Sequence, residues 1–171
     1  MWTNESNERK GFEAHPEGSY PARCVDVFEL TKDNPNYGKE NKYKNDAGGY
    51  DIDTRKQLTS VCVSFMTSEE MEYKGKMAPR YVSFWANKTW NEKGDLRKFI
   101  TGFAPEIAKS DKADPESLIG LTALVNVVQY KKSNGYMGAK VISAMPVPKG
   151  MESLAPEIPA DFVRHNDKPK P

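Results

Sequence analysis

Asp95-Leu96-Arg97-Lys98-Phe99-Ile100-Thr101-Gly102-Phe103 is the stretch on which the fold of this chain turns. Leu96, Phe99, Ile100 and Phe103 are spaced i, i+3, i+4, i+7, so they form one apolar stripe on a short helix. Asp95, Arg97 and Lys98 fall on the solvated side. Asn91 is the expected N-cap, and Gly102 with Pro105 predicts an end near Phe103. Trp90, just upstream, is expected to pack as an N-terminal staple.

Before this helix the chain reads as three strands. A polar stretch, 1–16, lacks periodicity and is read as a flexible arm. The first strand covers Tyr20 to Leu30, where Arg23-Val25-Val27-Glu29 alternates against Ala22-Cys24-Asp26-Phe28 and neither set is clearly the inner face. A long connection, 31–55, is rich in Asn, Asp, Lys and Gly; loops of that length are usually functional or disordered. The second strand runs from about Lys56 to Thr67, with Val61, Val63 and Phe65 inward. A polar hairpin follows, tightest at Lys74-Gly75. The third strand, about Arg80 to Lys88, alternates Val82, Phe84 and Ala86 with Tyr81, Ser83 and Trp85.

After the helix, Asp114-Pro115 opens a second, very short helix that ends at Gly120. Two strands follow, Leu121 to Tyr130 and Tyr136 to Met145, joined through Asn134-Gly135, a strong hairpin signal. Beyond Gly150 the chain turns proline-rich and polar, and 151–171 reads as a flexible tail with one docking segment at Phe162-Val163. Three strands, a helix and two strands is the order of a five-stranded Greek-key OB-fold barrel with its helix between strands three and four. The expected organisation is therefore an arm at 1–16, a mainly β domain at 17–150 and a tail at 151–171.

Composition narrows the function classes. Of 171 residues, 37% are hydrophobic and 29% charged, enough for one modest core in a polar chain. The net charge is +1, so a polyanion site has to come from local clustering. No run of about 18 apolar residues could span a membrane, and the first ten residues carry no apolar signal stretch; a cytoplasmic location is expected. Cys24 and Cys62 sit inside strand-like runs and are expected to be buried, reduced thiols.

Tyrosines interleaved with lysines mark the candidate binding groups. Tyr81 and Trp85 are expected to stand on the outer face of the barrel beside Ser60, Cys62 and Ser64, as a platform for stacked bases. Tyr37, Lys42, Tyr43 and Lys44 lie in the first long loop. Tyr130, Lys131, Lys132 and Tyr136 surround the last hairpin, and Lys140 follows it. In an OB fold these two loops flank the binding face. Lysines neutralise phosphates and tyrosines stack on bases. The pattern points to single-stranded nucleic acid, against the alternatives that these are solvated loops, or that the arm, the tail or a second subunit covers the rings.

Catalysis has little to stand on. Asp51-Ile52-Asp53 and Glu69-Glu70-Met71-Glu72 match no cation-loop spacing. His15 and His165 fall in the proposed extensions, and no nucleophile elbow, phosphate-cradling loop or zinc spacing is present. The expectation is a non-enzyme without cofactor or metal.

The chain also resembles the small OB-fold, single-stranded-DNA-binding replication proteins of tailed phages and prophages. Gly18-Ser19-Tyr20-Pro21-Ala22-Arg23-Cys24-Val25 resembles their opening strand, Asp95 to Phe103 their helix, Leu118 to Val127 the step into strand four, and Ala139 to Pro146 the closing strand. The resemblance covers about residues 18–150. It implies binding of single-stranded DNA with little sequence preference, in phage or mobile-element replication or recombination. Replication or recombination proteins are the implied partners; self-association is left open. The end of the chain, Arg164-His165-Asn166-Asp167-Lys168-Pro169-Lys170-Pro171, departs from the acidic tail many such proteins use to recruit partners. The rival reading keeps the same barrel as a protein-interaction or assembly module that binds no nucleic acid.

Overall fold

Three antiparallel strands precede the helix and two follow it in the computed structural model, which describes residues 13–169. The strands are β1 (Gly18–Asp33), β2 (Gln57–Tyr73), β3 (Lys76–Asn87), β4 (Thr122–Lys131) and β5 (Met137–Met145). They form one sheet in the order β3-β2-β1-β4-β5, every pairing antiparallel. Helix α1 (Asp95–Phe103) and a single turn, α2 (Pro105–Ala108), lie between β3 and β4.

The ambiguous alternation of β1 has a physical cause. Cys24 pairs with Phe65 but Asp26 pairs with Ser64, so Val25 is an extra residue, a β-bulge. A bulge shifts the side-chain phase by one. The core face therefore takes Ala22 and Cys24 before it and Val27 after it. The same bulge bends the strand, which leaves β4 near Arg23 while continuing along β2 to Asp33.

β2 and β3 run past their expected ends and meet in a two-residue turn at Lys74-Gly75, whose φ angles are 50° and 77°. Both residues being left-handed is the hairpin geometry that matches strand twist. A second irregularity lies between Met66 and Glu70, opposite Pro79 and Arg80, where a proline cannot serve a regular ladder. That irregularity receives the chain entrance. His15 is buried, its Nδ1 on the Pro16 carbonyl oxygen at 2.8 Å and its Nε2 2.6 Å from Thr67 Oγ1. Arg80 donates to the Glu13 carbonyl at 2.7 Å, and Gln129 donates to that of His15. The expected flexible arm is thus wrong for residues 13–16, which are docked; the rest of that expectation, with Trp2, lies outside the described residues.

The core sits between one face of the sheet and α1. Phe99 stacks on Phe84 with centroids 3.8 Å apart and planes 4° from parallel, and Phe65 meets Phe99 and Phe103 edge-on. The helix starts one turn later than Asn91 suggested, with Gly94 as N-cap, because Asn91 uses its side chain to accept from the Lys93 amide in the preceding turn. Trp90 packs against the core, donates Nε1–H to the Ser110 carbonyl and carries the Arg97 guanidinium over its ring. The short helix after Asp114 is a 3-10 turn, Pro115–Leu118, and Asp114 caps it by accepting from Glu116 N–H.

Among the described residues no ladder joins β3 to β5, so the sheet is not closed. α1 bridges the two edges instead, with Phe99 against Phe84 of β3 and Gly102 pressed against the Ala144 carbonyl of β5.

The tail departs most from expectation. Residues 151–169 are not a flexible extension: they return along the outer side of β1, β2 and β3. Arg23 holds their start by donating to the Pro156 carbonyl at 2.9 Å, and Ala155 is buried. No helix among the described residues is long and apolar enough to cross a membrane.

Candidate nucleic-acid interface

A gap separates the β3 and β5 edges, which no ladder joins among the described residues. It is a cavity of about 610 Å³ lined by Trp85 of β3, Lys140 and Ile142 of β5, and Asp95, Lys98 and Phe99 of α1. Trp85 points outward by strand alternation and remains 46% exposed. Lys140 sits in the same cleft and holds its ammonium 5.4 Å above the Tyr130 ring, a cation–π distance. Tyr130 can lie across β5 because its cross-strand partner is Gly138. A Cβ there would meet the Lys132 and Tyr130 side chains at 2.7 and 2.9 Å. Trp85 and Lys140 thus line one cleft to which α1 adds Lys98, Lys140 holds its cation over Tyr130, and Tyr130 and Lys132 both lie against Gly138.

The hairpin that carries Tyr136 is ordered by its own turn. Lys132 N–H donates to the Tyr136 carbonyl, Gly135 N–H to that of Lys132, and Tyr136 N–H to Asn134 Oδ1. Gly135 has φ 86°, the left-handed residue that ends a three-residue loop. Lys131 and Tyr136 are exposed on it.

The long first loop is folded rather than slack. Its two legs exchange backbone bonds, Gly38 to Asp53, Asp53 to Lys39 and Asn41 to Asp51. Asn34 pins the base by donating to the Arg55 carbonyl, and Asn45 Oδ1 accepts from Ala47 and Gly49 at the tip. The Arg55 guanidinium grips Asp53 through both carboxylate oxygens at 3.0 and 2.8 Å and holds that carboxyl well below the usual range. Lys42, Tyr43 and Lys44 share a polar hollow with Glu40, Asp51 and Asp53. The loop lysines therefore stand among carboxylates, unlike those of the last hairpin. Tyr37, 51% exposed, is outside that hollow.

Tyr81 lies elsewhere. Cross-strand registry makes rows of Phe28, Cys62 and Trp85, and of Arg23, Met66 and Tyr81, on the outer face. The open polar platform expected around Ser60, Cys62 and Ser64 is not there: Cys62 and Met66 are buried, because the tail lies over this face. Phe162 stacks on Tyr81 at 5.7 Å and 29°, and His165 stacks on Phe28 at 3.9 Å and 8°. Between them Arg164 donates to Asp26 at 3.0 Å and, with both terminal nitrogens, to Glu116 at 2.7 and 2.8 Å. His165 N–H donates to the second Asp26 oxygen. The guanidinium holds the Glu116 carboxyl below its ordinary range. Trp85 touches Phe28 edge-on at 5.7 Å, so it stands at the corner between the covered face and the open cleft.

Phe28, Lys98 and Arg164 were not legible as site residues, whereas Phe162 belongs to the docking segment expected at Phe162-Val163 and does dock, on Tyr81. Phe28 sits in the strand whose faces the bulge scrambled, Lys98 reads as a solvated helix position, and an isolated tail arginine carries no pattern. An apolar cavity of about 650 Å³, lined in part by Val27, Val63, Leu96 and Leu118, opens beside the tail at Asn166. The thiols of Cys24 and Cys62 are free and buried, pushed up to about 12 and about 11 by burial, which keeps them protonated and inert.

No family model, no curated protein and no solved structure matches the chain. The functional reading therefore rests on the residues and their arrangement.

Proposed function

We propose that this chain is a non-enzymatic single-stranded-DNA-binding protein with little sequence preference, built on an OB-type barrel whose last seam is left open. The strand order supports the barrel reading: joining β3 to β5 would complete the cycle β1-β2-β3-β5-β4. The observation that carries the function is the shared cleft of Trp85 and Lys140, extended by Tyr130 and Lys132. Stacking on such rings is sequence-tolerant and contributes about 1–3 kcal/mol per base. The sequence resemblance supports a setting in phage or mobile-element replication or recombination.

Titration with oligo-dT at low and high salt, read by tryptophan fluorescence, tests the reading. Quenching that weakens with salt is expected. Trp85→Ala, followed by the anisotropy of labelled oligo-dT because the reporting ring is gone, should lower affinity roughly 5- to 160-fold, the range set by one stacked base, while the folded signal persists. A fluorescence trace flat at every ratio, from folded protein, would sink it.

A second reading, a peptide-binding assembly module, is favoured by one observation: the outer face of β1–β3 already holds an extended protein segment, residues 156–166. It predicts that oligonucleotides leave the protein unchanged.

A further inference from the structure

The tail contacts Tyr81 and Phe28 in a way that packing alone does not demand. A segment needed only to cover apolar surface would bury its large side chains in grooves. Here His165 lies ring-on-ring on Phe28, as a stacked base lies on a protein surface, and Phe162 leans on Tyr81 in an offset contact. Phe162 is half-buried, and both His165 and Tyr81 stay exposed. Most of the polar hold is Arg164, a single fork onto Asp26 and Glu116, with Arg23 on the Pro156 carbonyl upstream. An edge of Trp85 rests on Phe28, so the covered face runs directly into the open cleft.

We propose that residues 156–166 are a displaceable internal stand-in for DNA: Phe162 and His165 occupy base positions on Tyr81 and Phe28, and a bound single strand takes their place. The inference rests on the reading of the protein as a single-strand binder. It extends the DNA path from the β3–β5 cleft, around Trp85, onto the outer face of β1–β3. It also gives Arg164 a role as latch. The covered state binds a short strand through the cleft alone; the uncovered state offers two further rings. Exchange carries an electrostatic cost that base stacking has to offset. On release, Arg164 leaves two carboxylates, and Asp26 and Glu116 would repel a phosphate chain. The strand would therefore seat its bases, not its backbone, against this face.

Arg164→Ala and Phe162→Ala in the full chain test the idea. Removing a cation should by charge alone weaken DNA binding, so tighter binding by Arg164→Ala has no trivial electrostatic explanation. We expect both variants to bind oligo-dT about tenfold more tightly, as when a competent state rises from a tenth of the population to nearly all of it. In the wild-type protein, saturating oligo-dT should remove hydrogen-exchange protection from the amides of 162–168 while β1 and β2 stay protected. Phe162→Ala guards against misfolding of the other variant, since it leaves Asp26 paired. If the wild type binds oligo-dT, both variants bind it equally well and the tail amides stay protected, the tail is a fixed brace and the inference fails, with the cleft reading intact. If neither wild type nor variants bind, the single-strand reading itself fails, and this inference with it. Binding by the variants alone would mark a latch strong enough to hide the site.

Discussion

Gly102 shows how one missing side chain fixes where the helix sits. Its Cα faces the Ala144 carbonyl so closely that an added Cβ would land on that oxygen, which belongs to backbone and cannot swing aside. Alanine in a helix interior is ordinarily worth about 1 kcal/mol over glycine. Here we expect the opposite sign: Gly102→Ala should destabilise by about 1–3 kcal/mol, the usual cost of overpacking, seen as a lower urea midpoint. His15 makes a second test at this scale. It is held neutral by burial, which lowers its pKa below 6.5, with Arg80 adding to that effect against the Pro16 bond and Glu69. The unfolded chain therefore binds more protons than the folded one as pH falls. The stabilisation is fully present above 6.5 and is lost on acidification. Urea unfolding between about pH 7.5 and 5.5 should show a steeper loss for wild type than for His15→Gln. From sequence, Gly102 was readable as a stop signal but not as a contact, because its neighbour is 42 residues away along the chain. His15 was unreadable for the same reason: its partners, Thr67 and the chain at Gln129, come from other strands.

At the scale of elements, periodicity was enough wherever one face is buried and the phase is unbroken. The apolar stripe of α1, the Val61-Val63-Phe65 face of β2 and the Lys74-Gly75 turn all follow from local pattern. The bulge at Val25 defeats that logic, since an extra residue is visible only against the partner strand. The first long loop defeats it differently: its order comes from Asn34, Asn45 and the Asp53–Arg55 fork, side-chain bonds that composition cannot reveal. The last hairpin offers the sharpest element-level test. Gly138 lets Tyr130 and Lys132 cross β5, and a Cβ there meets only the ends of movable side chains. Gly138→Ala should therefore leave the thermal midpoint within a few degrees, since one kcal/mol moves a domain of this size by roughly 2–4 °C. It should still weaken oligo-dT binding roughly threefold or more, by displacing a ring worth about 1–3 kcal/mol per stacked base. Equal affinity for wild type and Gly138→Ala would remove Tyr130 from the interface.

Across the whole molecule, charge distribution decides what binding can look like. A net charge of +1 excludes strong non-specific attraction, so affinity has to come from cations gathered locally. Two gatherings differ in kind. Lys42 and Lys44 share their hollow with Glu40 and Asp51 and with the Asp53–Arg55 pair, so a phosphate there meets opposing signs. Lys98 and Lys140 line the cleft, where Asp95 is the acidic residue, and Lys132 lies beyond it beside Gly138. Each phosphate neutralised on a single strand adds about −0.7 to the slope of log K against log salt. One phosphate on each of these three lysines implies a slope near −2, and Lys140→Gln should make it shallower by about 0.7. Lys42→Gln should change it far less, because its neighbouring carboxylates already compensate its charge. Oligo-dT isotherms from about 50 to 300 mM salt measure both slopes. An equal loss of slope from Lys42→Gln and Lys140→Gln would place the strand over both loops; a loss from Lys42→Gln alone would move the site away from the cleft.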